Sequence, residues 1–214
     1  MSTQGALPHQ VREAAGEPAG ALVLVHGRGS DEHDLLPVLD ALDPRGRLVG
    51  LTPGGPLSLP PGGRHWYSVP RVGFPDPDSF AQGYGALTNF LDGWLADRGI
   101  GWERTVLGGF SQGAVMSYAV GLGGGRPSPA GILAMSGFVP VVDGWEAELE
   151  SRRGLPVCIA HGANDPIIRV DFGRDARELL TEGGLSVEYH ESAAAHNLDP
   201  GVLPELTAWV QARL

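Results

Sequence analysis

Short runs of aliphatic and β-branched residues at 21–26, 47–51, 105–109, 130–135, 155–161 and 185–190 alternate with longer segments at 32–42, 79–97, 112–121, 170–181 and 200–214. In the longer segments apolar side chains recur at helical spacing. The short runs are almost continuously apolar, as strands are when both faces of their sheet are covered. A repeated strand-then-helix order with that patterning predicts a three-layer α/β sandwich with a mainly parallel central sheet. Residues 7–14 are expected to add an edge strand, and the connections after the strands leave no room for a large cap domain.

One stretch breaks the alternation. Thr52-Pro-Gly-Gly-Pro-Leu-Ser-Leu-Pro-Pro-Gly-Gly63 forbids helix and central strand, because its prolines remove donors and its glycines weaken regular structure. It reads as a long loop leading into Arg64-His-Trp-Tyr67 and Val72-Gly-Phe74, which would bring aromatic surface towards a site.

At 214 residues, 42% apolar and 19% charged, the chain can bury one good core but is too short for two ordinary domains and a linker. It is read as a single domain over 1–214, with 1–20 as the edge strand and an N-terminal extension. A net charge of -10 without any basic run argues against a nucleic-acid partner. No apolar stretch reaches membrane-spanning length, and the N-terminus lacks the basic start and apolar middle of a signal peptide. Stable membrane insertion is therefore not expected, and the location is expected to be cytoplasmic. The single cysteine, Cys158, lies within an apolar run and reads as a small buried hydrophobe.

Candidate chemistry centres on Gly109-Phe110-Ser111-Gln112-Gly113. A strand precedes it and an apolar helix follows, the order required of a serine presented on a tight strand-to-helix turn. Glycines two residues either side keep strand and helix free to pass closely. In a chain with 33 glycines the pentapeptide alone decides little, so its companions matter. Serine needs an imidazole to take its proton and a carboxylate to orient that imidazole. Reacting groups in an open parallel sheet gather beyond the carboxyl ends of strands, which selects His196 from seven histidines. Asp165, in the turn Ala163-Asn-Asp-Pro166, falls between serine and histidine in chain order. Its rivals Asp171 and Asp175 lie on a predicted helix. Backbone N–H groups of Gln112, at a helix start, and Arg28, in the glycine-flanked turn His26-Gly-Arg-Gly-Ser30, are candidates for holding an oxyanion.

Other polar clusters take plainer readings. Ser30-Asp-Glu-His-Asp34 is expected to open a helix with acidic caps rather than to bind a metal. His26 and His161 are expected to pack beneath the site. Glu146, Glu148 and Glu150 read as a solvated face.

With Val25-His-Gly-Arg-Gly29, Arg64-His-Trp-Tyr67, Gly109-Phe-Ser-Gln-Gly113, Met135-Ser-Gly-Phe138, His161-Gly-Ala-Asn-Asp165 and Ala195-His196 in order, the chain resembles the phospholipase/carboxylesterase family of α/β-hydrolases. That family includes small bacterial carboxylesterases and acyl-protein thioesterases. The resemblance implies Ser111 as nucleophile, Asp165 as orienting acid, His196 as base and then acid, and Arg28 and Gln112 N–H groups as oxyanion donors. It also implies an acyl groove, with Trp66 and Phe138 placed to line it. One departure stands out: Ala193-Ala-Ala195 precedes His196, where such proteins commonly carry glycine.

The expected function is a serine carboxylesterase that forms an acyl-enzyme on Ser111 and uses no cofactor or metal. Its partner would be a small acyl ester or thioester, with lysophospholipids in range. Apolar residues around the site are expected to allow a homodimer. The alternatives are a lactone or carbon–carbon bond hydrolase with the same residues, and a catalytically silent binding protein of the same fold.

Overall fold

The computed structural model describes residues 7–213. Seven strands form one sheet in the order β1-β3-β2-β6-β7-β8-β9. These are β1 (His9–Arg12), β2 (Gly20–Val25), β3 (Leu48–Pro53), β6 (Thr105–Phe110), β7 (Gly131–Met135), β8 (Pro156–Gly162) and β9 (Ser186–Ser192). All pairings are parallel except that of β1 with β3, so the expected edge strand is present and runs antiparallel.

The strands are packed on both faces, as their unbroken apolar runs require. Ala21, Val23 and Val25 meet α2 (Pro77–Asp97) and α3 (Gln112–Leu122). Leu22 and Leu24, one residue out of phase, meet α1 (Leu36–Leu42) and α5 (Leu203–Gln211). Ile132 and Ile159 pack with α3 and α4 (Val170–Glu182) on the α2 side. Every residue of α3 is buried, so that helix runs through the interior rather than lying on it.

Three sequence expectations need correcting. The helix expected over 32–42 begins at Leu36, because Pro37 suits the first turn, where its missing N–H costs nothing. Residues 32–35 form turns instead, so the acidic cluster does not cap α1. At the other end, Pro200 opens a single 3₁₀ turn and α5 starts only at Leu203, beside Pro204. The proline- and glycine-rich stretch starts later than expected: β3 continues through Thr52 and Pro53, paired to β1. The remainder closes on itself as a two-stranded ribbon of β4 (Leu57–Ser58) and β5 (Arg64–His65).

Among the described residues, no helix is long and apolar enough to cross a membrane. Cys158 is free and buried on β8, and burial together with the nearby Glu188 pushes its thiol up to about 12.

Candidate active site

The Gly109–Gly113 pentapeptide lies where β6 turns into α3. Ser111 has φ 55° and ψ -118°, a backbone conformation that L-residues avoid and that costs about 1–3 kcal/mol. Two features hold it there: its N–H donates to Met135 O at 2.8 Å, and α3 is buried all round. Both glycines are sterically required. A Cβ on Gly109 would lie 2.5 Å from the Gly113 carbonyl carbon, and one on Gly113 would collide with the Val25 carbonyl oxygen. The helix start thus passes directly over the end of β2.

Ser111 is one end of a hydrogen-bonded chain. Its Oγ lies 2.9 Å from His196 Nε2, and His196 Nδ1 lies 2.6 Å from Asp165 Oδ2. The Asp165 side chain is fully buried, and its other oxygen accepts the N–H groups of Ile167 at 2.8 Å and Ile168 at 2.9 Å. Those two donors fix the carboxylate and leave Oδ2 to the imidazole. On the far side, the Phe110 ring packs 4.9 Å from the His196 ring, centre to centre.

The loops carrying Asp165 and His196 are stapled together. Asn164 donates through its backbone to Ala194 O and through Nδ2 to Ala193 O, and Ala163 N–H donates to Ser192 O. Gly162 is the contact point, since a Cβ there would collide with the Ala194 and Ala195 carbonyls. Ala195 itself is not among the residues with positive φ, so the alanine run before His196 is accommodated without glycine.

Beneath the site, both histidines have packing partners. His26 Nε2 accepts the Gly55 N–H at 2.9 Å, its Nδ1 lies 2.7 Å from Gly27 O, and burial lowers its pKa. His161 Nε2 is 2.8 Å from Ile168 O, with Gly173 leaving room for α4 to close over the ring.

Gln112 does more than its sequence position suggests. As the first residue of α3, its backbone N–H has no acceptor within the helix, as at any helix start. Its side chain accepts the Trp66 N–H at 2.7 Å through Oε1 and donates to Tyr67 O at 2.7 Å through Nε2. In the turn after β2, Gly29 N–H goes to Arg64 O and Ser30 N–H to Gly27 O, while among the described residues no acceptor meets the Arg28 N–H.

A cavity of about 90 Å³ opens onto Ser111, walled by Arg28, Tyr67, Gln112, Phe138 and Ile168 among others. Phe138 is part of that wall. Trp66 is not: it is fully buried outside the cavity wall, its indole N–H donating to His26 O at 3.0 Å, and the neighbouring Tyr67 takes the wall position. Sequence reasoning also missed the Gln112 side chain, Asn164 and the Ile167 and Ile168 donors. Only Asn164 left a trace, as turn chemistry beside Asp165. Of the acidic cluster, Asp31 accepts the His33 N–H and Glu32 faces Arg64 at 3.8 Å.

The arrangement suits acyl transfer: a nucleophile, a base oriented by a carboxylate, and N–H donors beside the nucleophile. The comparisons point the same way. The phospholipase/carboxylesterase family model matches residues 8–213. Acyl-protein thioesterase 1 of Debaryomyces hansenii is 28% identical over 204 residues, covering 83% of this chain and 84% of that protein. Acyl-protein thioesterase 1 of Gibberella zeae is 27% identical over 235 residues, with 99% and 98% covered. The crystal structure of a Bacillus cereus carboxylesterase shares the fold with a TM-score of 0.86 at 23% identity, covering 99% of this chain and 97% of that one.

Proposed function

The chain belongs to the phospholipase/carboxylesterase family, and from that premise we propose that it is a serine hydrolase cleaving carboxylic esters, with thioesters and lysophospholipids in range, through an acyl-enzyme on Ser111. The observation that carries this reading is the chain Ser111–His196–Asp165, with contacts of 2.9 and 2.6 Å. His196 Nε2 takes the Ser111 proton as Oγ attacks the carbonyl carbon, and Asp165 Oδ2 holds the imidazolium. The carbonyl oxygen becomes an oxyanion held by the Arg28 and Gln112 N–H groups, each worth about 3 kcal/mol of barrier. Collapse expels the alcohol or thiol, which takes the proton from His196. Water, deprotonated by His196, then attacks the acyl-enzyme and releases the acid. No step needs a metal or cofactor.

Phe138 and Tyr67 flank the acyl group at the mouth of the cavity of about 90 Å³. The whole chain acts as one catalytic domain in the cytoplasm. Exposed Val69, Val72, Phe74 and Ile167 support pairing of two copies near the site. Nothing in the geometry favours lactone or carbon–carbon bond cleavage, or a silent binding role.

The test is hydrolysis of p-nitrophenyl esters from acetate to palmitate by wild type, Ser111→Ala and His196→Ala. Turnover by wild type that both variants lose by about 10³-fold or more supports the reading. Variants matching wild type would sink it.

A further inference from the structure

The charges at the cavity mouth do not match the charges of the protein. The chain carries a net charge of -10, yet the cavity at Ser111 is lined by two arginines, Arg28 and Arg71, and by no carboxylate. Several guanidinium groups elsewhere meet a carboxylate: Arg12 meets Asp43, Arg126 meets Asp92 at 2.9 Å, and Arg174 meets Glu191 at 2.7 Å. Among the described residues, the exposed Arg28 side chain has no hydrogen bond and no ion pair. Arg71, also exposed, stacks on the Phe74 ring with its guanidinium carbon 3.6 Å from the ring centre. Stacking engages the flat face of the guanidinium and leaves the in-plane N–H fork free for an oxyanion. Neither of the acidic residues nearest Arg28 in sequence pairs with it: Asp31 accepts the His33 N–H and Glu32 faces Arg64.

We infer that Arg28 and Arg71 form an anion-binding rim, and that preferred substrates are esters carrying a carboxylate or phosphate a few bonds from the scissile carbonyl. The proposal rests on the reading of Ser111 as nucleophile and adds a substrate class to it. Electrostatics gives the rim its purpose. A strongly negative protein repels an anionic ester at long range, so such a substrate is retained only where a local positive pair outweighs the body of the molecule. Val69, Val72, Pro75, Phe138, Ile167 and Ile168 add apolar wall that suits the short carbon chain between ester and anion. Charge-assisted hydrogen bonds from two guanidinium groups translate into a preference of about tenfold or more.

The test uses two matched pairs. p-Nitrophenyl hydrogen adipate against p-nitrophenyl methyl adipate places a carboxylate, or its neutral ester, on the acyl side. Phenyl butyrate with and without a para phosphate places the anion on the leaving group. The readout is the charged-to-neutral ratio of kcat/KM in wild type, Arg28→Met, Arg71→Met and, as a control remote from the cavity, Arg45→Met. Comparing ratios between variants cancels the intrinsic reactivity of each ester.

The expected result is a wild-type ratio of about ten or more in one arm at low salt. The ratio should fall several-fold in both rim variants, be kept in Arg45→Met, and weaken as salt rises. The arm that responds identifies the anion and its side of the ester. Equal rates within both pairs, or a preference that survives both rim substitutions, would overturn the rim while leaving the esterase reading in place. Failure to hydrolyse even the neutral esters would instead overturn the reading of Ser111, and the rim with it.

Discussion

Gln112 accepts the Trp66 N–H at 2.7 Å, so the residue that follows the candidate nucleophile also anchors the long loop between β3 and α2. The same side chain donates to Tyr67 O, and both bonds are buried. Gln112→Leu keeps the backbone N–H but strands a buried donor and a buried acceptor, at about 1–3 kcal/mol each. Urea unfolding should show a loss of about 2–6 kcal/mol, with ester turnover falling as Tyr67 leaves the cavity wall. Full stability in this variant would mean that the loop is held by something else.

Gly113→Ala should fail severely. Its new Cβ meets the Val25 backbone carbonyl, which cannot step aside without disturbing β2. A loss of about 4 kcal/mol or more, or failure to accumulate as folded protein, is expected. Gly16→Ala, where an added Cβ meets nothing within 4 Å, should change stability by less than about 0.5 kcal/mol. Similar melting temperatures for the two variants would contradict the packing of α3 over β2.

Asn164→Ala cuts the bond from Nδ2 to Ala193 O while leaving Asp165 and His196 untouched. The imidazole is then aimed less well, so kcat should drop about tenfold with KM little changed, as expected for a misplaced catalytic group. Unchanged kcat would show that the backbone bonds of the two loops suffice.

His26 makes stability depend on pH independently of catalysis. Burial lowers its pKa, with the Gly27 carbonyl opposing the shift, so the folded protein keeps the ring neutral where the unfolded chain takes up a proton. The contribution is fully present above the unfolded value of about 6.5 and is lost as pH falls below it towards the folded value. Protonation would also turn Nε2 from acceptor into donor and break the bond from Gly55 N–H. Unfolding free energy measured between pH 5 and 8 should decline on the acid side, and His26→Gln should flatten the decline. Parallel curves for the two proteins would assign the acid sensitivity to other groups.

How much of this was legible depended on whether the signal was local. The strands read correctly because Leu22, Leu24, Ile132 and Ile159 sit in runs buried on both faces, and β1 was anticipated at its edge. Helix starts at Leu36 and Leu203 were misjudged because a periodic pattern does not show where a proline resets the first turn. Ser111, Asp165 and His196 stand in the expected chain order, each after the carboxyl end of a strand in a parallel sheet, and fold within hydrogen-bond reach of one another. The floor of the site could not. Trp66 and Tyr67 are adjacent aromatics in a loop without periodicity, so the sequence does not say which one faces the cavity. The Gln112 side chain meets carbonyl and N–H groups 45 and 46 residues away, a pairing that exists only once the chain has folded.

The contact of Gly162 with the Ala194 and Ala195 carbonyls makes the two loops bearing Asp165 and His196 a single mechanical part. Neither can be lengthened, shortened or exchanged for a loop of another enzyme without its partner, so grafting must move residues 162–165 and 193–196 together. The segment from Leu57 to Phe74 shares no such contact with either loop. A new specificity can be written into it at positions other than Arg64, Trp66 and Tyr67, whose bonds to Gly29, Ser30 and Gln112 hold the turn after β2 and the start of α3.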